Sequence, residues 1–316
     1  MRGIHIALHY AALAVLAVVL NFVLIRAAPG SPFAGLDRDE LAAVLTEDQK
    51  QALSAHYGLN RPLPAQLTAY LTRLARADLG ISLYFQEPVA EVILPYLSRT
   101  ALLVALGFLA ATMGGLVLGV LSATGHRLPW GRVLLVAMTT LHALPPFLLA
   151  MLILLGFAVS WPLFPATATL LPGEPLSTQV RRFVLPVAAY ALWELGLLCL
   201  LVRGAVLDVL GEPFVTYARA KGLPERRILV HHVLRAAAPP IISRAAVVVG
   251  VSFGGVFFVE RVFAYPGIGT LALVAQSRFD YPLLEGIFLV SLGAILLCNF
   301  TSDLLVARLD PRLRAL

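Results

Sequence analysis

Residues 6–25 contain no acid, lysine or arginine, and Arg26 closes the run. Five further apolar stretches follow at 100–123, 133–159, 183–202, 240–259 and 283–307. A helix of about 20 apolar residues matches the roughly 30 Å hydrocarbon thickness of a bilayer. Lipid offers no hydrogen bonds, so a spanning backbone must satisfy its own polar groups as a helix or a closed barrel. These runs are continuous rather than alternating, which predicts helices. The expected fold class is an all-α polytopic membrane protein with six transmembrane helices. Composition agrees: 59% of residues are hydrophobic and 13% charged, with a mean hydropathy of +0.85. Soluble chains carry about 25% charged residues, so the lipid bilayer is this chain's solvent. A cleaved signal peptide is the alternative for residues 6–25, but a secretory core is shorter, about 7–15 residues.

The intervals between the runs differ in kind. Residues 27–98 are polar enough to form a small helical insertion. Within it lie a Pro29-Gly30-Ser31-Pro32 turn and capping patterns at 37–40 and 46–49, each able to start a helix. A third helix is expected over 65–77, ending by Gly80. The 133–159 run is interrupted by Pro145-Pro146, and such breaks in lipid survive only where protein or a water-filled cavity covers them. Residues 161–179 and 261–281 read as loops. The expected organisation is a first span at 1–26, the insertion at 27–98, a five-helix core at 99–307 with a loop at 203–239, and a tail at 308–316.

Charge fixes an expected topology. With both termini on one side, the 124–132 link, the 203–239 loop and the tail join them there. Together with Arg2 these regions hold 12 of the 24 Lys and Arg but only 4 of the 18 acids. By the positive-inside rule this side is cytoplasmic. The net charge of +6 is therefore topological, and no nucleic-acid partner is implied. Cys199 and Cys298 each lie inside an apolar run and form neither a disulfide framework nor a metal motif.

Residues 212–240, EPFVTYARAKGLPERRILVHHVLRAAAPP, carry Arg219, Lys221, Arg226, Arg227 and Arg235 against Glu212 and Glu225. Pro213 suits a first helical position. Glu212 sits at the positive end of the helix dipole. Gly222 and Pro224 form a stop. The expected short helix has Phe214, Val215 and Ala218 on one side, with Arg219 and Lys221 elsewhere. An apolar tip with basic flanks suits docking into another protein's groove. The bland alternative is a solvated basic loop.

The heptapeptide Tyr217-Ala218-Arg219-Ala220-Lys221-Gly222-Leu223 resembles the coupling ("EAA") loop of ABC-importer permeases of the dipeptide, oligopeptide and nickel branch. Further similar elements are Gly58-Leu59-Asn60-Arg61-Pro62-Leu63, Asp78-Leu79-Gly80-Ile81-Ser82, the Val259–Gly269 segment, Asp280-Tyr281-Pro282 and Leu309-Asp310-Pro311-Arg312. They follow the family's order along nearly the whole chain. Departures are Thr216 and Tyr217 at the Glu and first Ala of the loop, Ser31 and Asn60 where Asp is usual, and a missing acid after the second span. The resemblance implies a type I importer permease in the bacterial inner membrane. Its implied partners are a second related permease subunit, two ATP-binding subunits and a periplasmic solute-binding protein. It also implies that Glu212, Phe214, Tyr217, Ala218, Arg219, Ala220, Lys221 and Gly222 meet the ATPase. No catalytic residue is expected, since the chain has no P-loop. ATP and Mg are expected only in the partner subunits.

Polar residues inside spans are candidates to face a pathway. They include His142, Glu194, Arg244 and Glu260, against the alternative of a structural Glu194–Arg244 ion pair. Asn21 and Asn299 read as candidates for interhelical hydrogen bonds. Only His142 among the histidines lies deep in a run, so no metal-ligand set is visible. That favours peptides over nickel or a metallophore as solute. A secondary transporter would call for paired intramembrane carboxylates and an inverted repeat. A membrane-embedded enzyme would need a catalytic cluster that His142 and Glu194 alone do not supply.

Overall fold

Pro145 and Pro146 bend the chain sharply. Leu144 precedes Pro145 and Pro145 precedes Pro146, and a residue before proline is pushed out of the helical region. Both are extended, at φ −71°, ψ 131° and φ −57°, ψ 140°. The expected third span is accordingly two helices, Pro129–Ala143 (α4) and Pro146–Leu154 (α5). A π-helical turn, Leu155–Ser160, continues α5. The two halves meet at 103°.

The structure, a computed structural model, describes residues 2–27, 62–169 and 173–309. The helices expected to start at 37–40 and 46–49, and the tail from 310, lie outside the described residues. The other helices in chain order are α1 (Arg2–Ala27), α2 (Leu63–Leu74), α3 (Val89–Thr124), α6 (Leu176–Leu210), α7 (Pro213–Ala220), α8 (Leu234–Val262), α9 (Ile268–Ser277) and α10 (Tyr281–Leu309). Among the described residues, extended pairing is confined to an isolated antiparallel bridge between Ile81 and Pro88.

Four helices are long and apolar enough to cross a membrane, at Leu8–Arg26, Val89–Thr124, Leu176–Leu210 and Tyr281–Thr301, and the bent pair counts as a fifth if it is one span. The sixth expected run, 240–259, lies within the 29 residues of α8, about 44 Å of helix.

Two expected loops are corrected. Much of 203–239 is helical, and α8 begins at Leu234 rather than at Pro240. The N–H groups that Pro239 and Pro240 lack would have bonded the carbonyls of Arg235 and Ala236. Both residues are exposed, so water can take those carbonyls. Residues 261–281 hold α9, whose Leu271 and Ala275 are buried.

The chain divides into two units: Met1–Arg99 with Gly267–Ala294, and Thr100–Pro266 with Ile295–Leu316. The first has a core of Val89, Ile93, Leu271, Leu283 and Ile287. Asp280, fully buried, organises its loop. Its carboxylate accepts hydrogen bonds from Ser82 Oγ (2.5 Å), Tyr84 N (3.0 Å) and Leu283 N (3.1 Å). Two of the family-like segments, around Ser82 and around Asp280, therefore meet. At the end of α1, Arg26 pairs with Glu285, bonds Gln66 Oε1 (2.9 Å) and lies over the Phe22 ring. Asn21 Nδ2 donates to the Glu285 carbonyl at 3.0 Å, the interhelical role expected of it. These ties hold α1 against α10 in this unit.

In the second unit, α3 and α6 approach through small residues. A Cβ on Gly119 would lie 2.6 Å from Val202 Cβ and 2.7 Å from the Cys199 carbonyl. Close backbone approach through glycine is a usual basis of helix association in lipid. A second core gathers Tyr190, Phe263 and Tyr265 with Leu103, Leu149 and Val256.

Candidate functional site

The 212–223 segment folds as its residues dictate. Glu212 is extended (φ −72°, ψ 144°), with Pro213 as first helical residue and no side-chain cap. Its carboxylate thus sits where the helix dipole is positive. At the far end Gly222 adopts φ +76°, the left-handed stop that glycine takes without Cβ strain. Its N–H bonds the Arg219 carbonyl at 2.9 Å and the Leu223 N–H reaches that of Ala218.

The expected apolar side of α7 splits in two. Val215 (0% exposed) and Ala218 (5%) point into the chain's own core. There they join Ala123, Val202, Val206, Ile228, Val233 and Ala237. Phe214 (43%) and Tyr217 (63%) point outward. Grouping Phe214 with Val215 and Ala218 is therefore corrected. A helix of eight residues turns Phe214 about 100° from Val215, and the buried pair takes the inner face. The smallness of Ala218 serves packing within this chain, whereas Ala220 is exposed. Val215, absent from the expected site residues, is what holds the helix in place. Its apolar character next to Phe214 was the available signal.

The outer face is charged but partly self-answered. Arg219 makes a two-pronged pair with Glu225, Nε to Oε1 at 2.7 Å and a second nitrogen to Oε2 at 3.3 Å. The hydrogen bond from Arg219 holds the Glu225 carboxyl below its ordinary range. The pair stabilises the fold only above that lowered value and is lost on acidification. It is exposed and therefore weak. The ammonium of Lys221 lies 4.6 Å from the centre of the Tyr217 ring, a cation–π contact. The arrangement presents two aromatic side chains, Lys221 and Ala220 on a helix anchored from beneath.

Three of the four intramembrane candidates, His142, Glu194 and Glu260, have described side chains. His142 is exposed in the last turn of α4, close over Gly196 of α6, where a Cβ would lie 2.9 Å from His142 Cβ. Glu194 is 2% exposed and so enclosed within this chain. Glu260 is fully buried and accepts from Thr100 Oγ1 at 2.5 Å. A buried carboxylate needs such a donor. Thr100 was legible only as the start of an apolar run. The side chain of Arg244, and with it the Glu194–Arg244 pair, lies outside the described residues. Among the described residues no cluster of three or more His, Cys, Asp or Glu is placed to hold a metal ion.

Residues 115–315 match the family described as "Binding-protein-dependent transport system inner membrane component". The chain is 33% identical over 300 residues to a putative peptide permease protein of Brucella ovis, covering 94% of this chain and 93% of that one. It is 29% identical over 301 residues to the oligopeptide transport system permease protein AppB of Bacillus subtilis, covering 93% of each. Over 319 residues it is 27% identical to the dipeptide transport system permease protein DppB of Escherichia coli, covering 94% and 93%.

Proposed function

The chain belongs to the inner membrane components of binding-protein-dependent transport systems, and from that premise we propose that it forms half of the pathway of an ATP-driven peptide importer. The names of its relatives support a peptide as solute. A second related permease subunit completes the pathway, and a periplasmic binding protein delivers the solute. Two separate ATP-binding subunits dock on the cytoplasmic side, with both termini of this chain on that side. The chain itself does no chemistry on ATP.

The observation that carries the reading is α7. Val215 and Ala218 fix it to the ends of α3, α6 and α8 through one apolar cluster. Phe214, Tyr217 and Lys221 face outward. A push on this face is therefore transmitted to three long helices as a rigid motion, the kind of movement that alternating access needs. Phe214 and Tyr217 are the anchors expected to fill a partner groove, and truncating such an anchor costs about 2 kcal/mol or more.

The test is ATPase activity of the whole complex in liposomes, with membrane insertion checked in parallel. Phe214→Ala and Gly222→Arg should insert normally and lose binding-protein-stimulated hydrolysis. Gly222→Arg places a side chain at φ +76° and so distorts the end of α7. Normal stimulated hydrolysis in both variants would remove α7 as the coupling element.

A further inference from the structure

Beside α7 the chain gathers two arginines and two histidines. Arg227, His231, His232 and Arg235 line an open depression of about 500 Å³ together with Phe214 and Ala236. Among the described residues, none of the four basic side chains has an ion pair or hydrogen bond. Arg219, nearby in sequence, has Glu225.

The backbone puts them there. Arg227, His231 and Arg235 are spaced four apart. On an α-helix residues four apart drift about 40° past a full turn, so three in succession span about 80° of one face. Residues Ile228–Val233 are instead π-helical, and the wider turn brings each fourth residue back toward one line. Such π turns recur at functional sites. The opposite side of the turn is fixed, since Ile228 and Val233 are fully buried in the same cluster as Val215. Arg227 and Arg235 line the same depression, and an anion there relieves the repulsion between two guanidinium charges.

The position along α8 identifies the anion. Arg235 precedes Pro240, where the apolar run begins, by about 7.5 Å of helix, so a run that enters the bilayer at Pro240 sets Arg235 near the headgroups. Two guanidinium forks suit a phosphate. We infer that this depression binds the phosphate of an anionic phospholipid, with Arg227 and Arg235 as its principal donors. Basic pockets at the cytoplasmic end of membrane helices recognise lipid headgroups by this chemistry.

The experiment uses the purified full-length chain in nanodiscs of phosphatidylcholine with or without phosphatidylglycerol. Native mass spectrometry reads the lipid retained. Both leaflets are alike in a nanodisc, so the outcome does not depend on the orientation or coupling role proposed above. Wild type should retain phosphatidylglycerol over phosphatidylcholine. Each of Arg227→Gln and Arg235→Gln should cut retention about fivefold, and the double variant roughly twenty-five-fold. Arg226→Gln, exposed but outside the depression, should match wild type. Arg235→Lys, which keeps charge and fold, should lose less than Arg235→Gln. Equal retention by the double variant and Arg226→Gln would overturn the inference. So would protection from thermal unfolding by inorganic phosphate equal to that by phosphatidylglycerol, which would mark a free-phosphate site. Unchanged lipid retention with loss of copurifying ATP-binding subunits would assign the face to a protein partner instead.

Discussion

Asp280 shows how much one side chain can hold. It is fully buried and its carboxylate answers one hydroxyl and two backbone N–H groups. Hydrogen bonds to a charged group are worth about 1.5–3 kcal/mol each, and stranding buried donors adds their desolvation cost. Asp280→Ala is expected to cost about 3 kcal/mol or more, Asp280→Asn less, and Ser82→Ala about 1 kcal/mol. Thermal unfolding of the detergent-solubilised chain should rank the three midpoints in that order below wild type. An unchanged midpoint for Asp280→Ala would sink the assignment. The residues of this knot were visible in the sequence, Ser82 in one family-like segment and Asp280 in another. Their meeting was not, because a separation of 198 positions leaves no trace in local spacing. Thr100 and Glu260, 160 positions apart, are the same case. Gly222 is the opposite one: a glycine closing a short helix announces its left-handed backbone locally.

Helices were legible by type and misjudged at their ends. Apolar runs were cut where charge begins, at 183 and 202 for instance, whereas α6 extends over Leu176–Leu210. The hydrogen-bond ladder of a helix does not stop where lipid stops: beyond the apolar run Arg181 is exposed and Arg182 is paired with Glu174. The 103° bend was foreseeable as a break at Pro145-Pro146 but not in size, since proline bars a helical continuation without choosing the new direction. Helix against helix, glycine decides the approach of α3 to α6, and its context sets the sign of substitution. At Gly119 an added Cβ meets Val202 and the Cys199 carbonyl, while at Gly204 it meets nothing within 4 Å. Gly119→Ala should therefore destabilise by about 1–3 kcal/mol through overpacking. Gly204→Ala should stabilise by about 0.5–1 kcal/mol through lost backbone freedom in the unfolded chain. Thermal unfolding of the two variants side by side checks this, and shifts of the same sign would contradict the packing account.

For the whole molecule, the open question is which way each segment crosses, and the bent pair α4–α5 controls it. If the pair crosses once, the six expected runs put the 203–239 interval on the side of the termini and 161–179 on the other. If the pair re-enters on its own side, every segment after it reverses. Charge favours crossing, because the alternative exposes Lys221, Arg226, Arg227 and Arg235 outside, against the positive-inside rule. Two thiols decide it. In a chain with Cys199 and Cys298 replaced by alanine, Ser177→Cys reports on the first turn of α6 and Lys221→Cys on the interval after α7. Both positions are exposed, so reactivity reads sidedness rather than burial. In intact cells treated with a membrane-impermeant maleimide, the chain with Ser177→Cys should label at once. The chain with Lys221→Cys should label only after the membrane is opened. The reverse pattern would make the bent pair a re-entrant loop. It would also move α7 to the face where no ATP-binding subunit can reach it, so the crossing and the coupling role stand or fall on the same pair of labels.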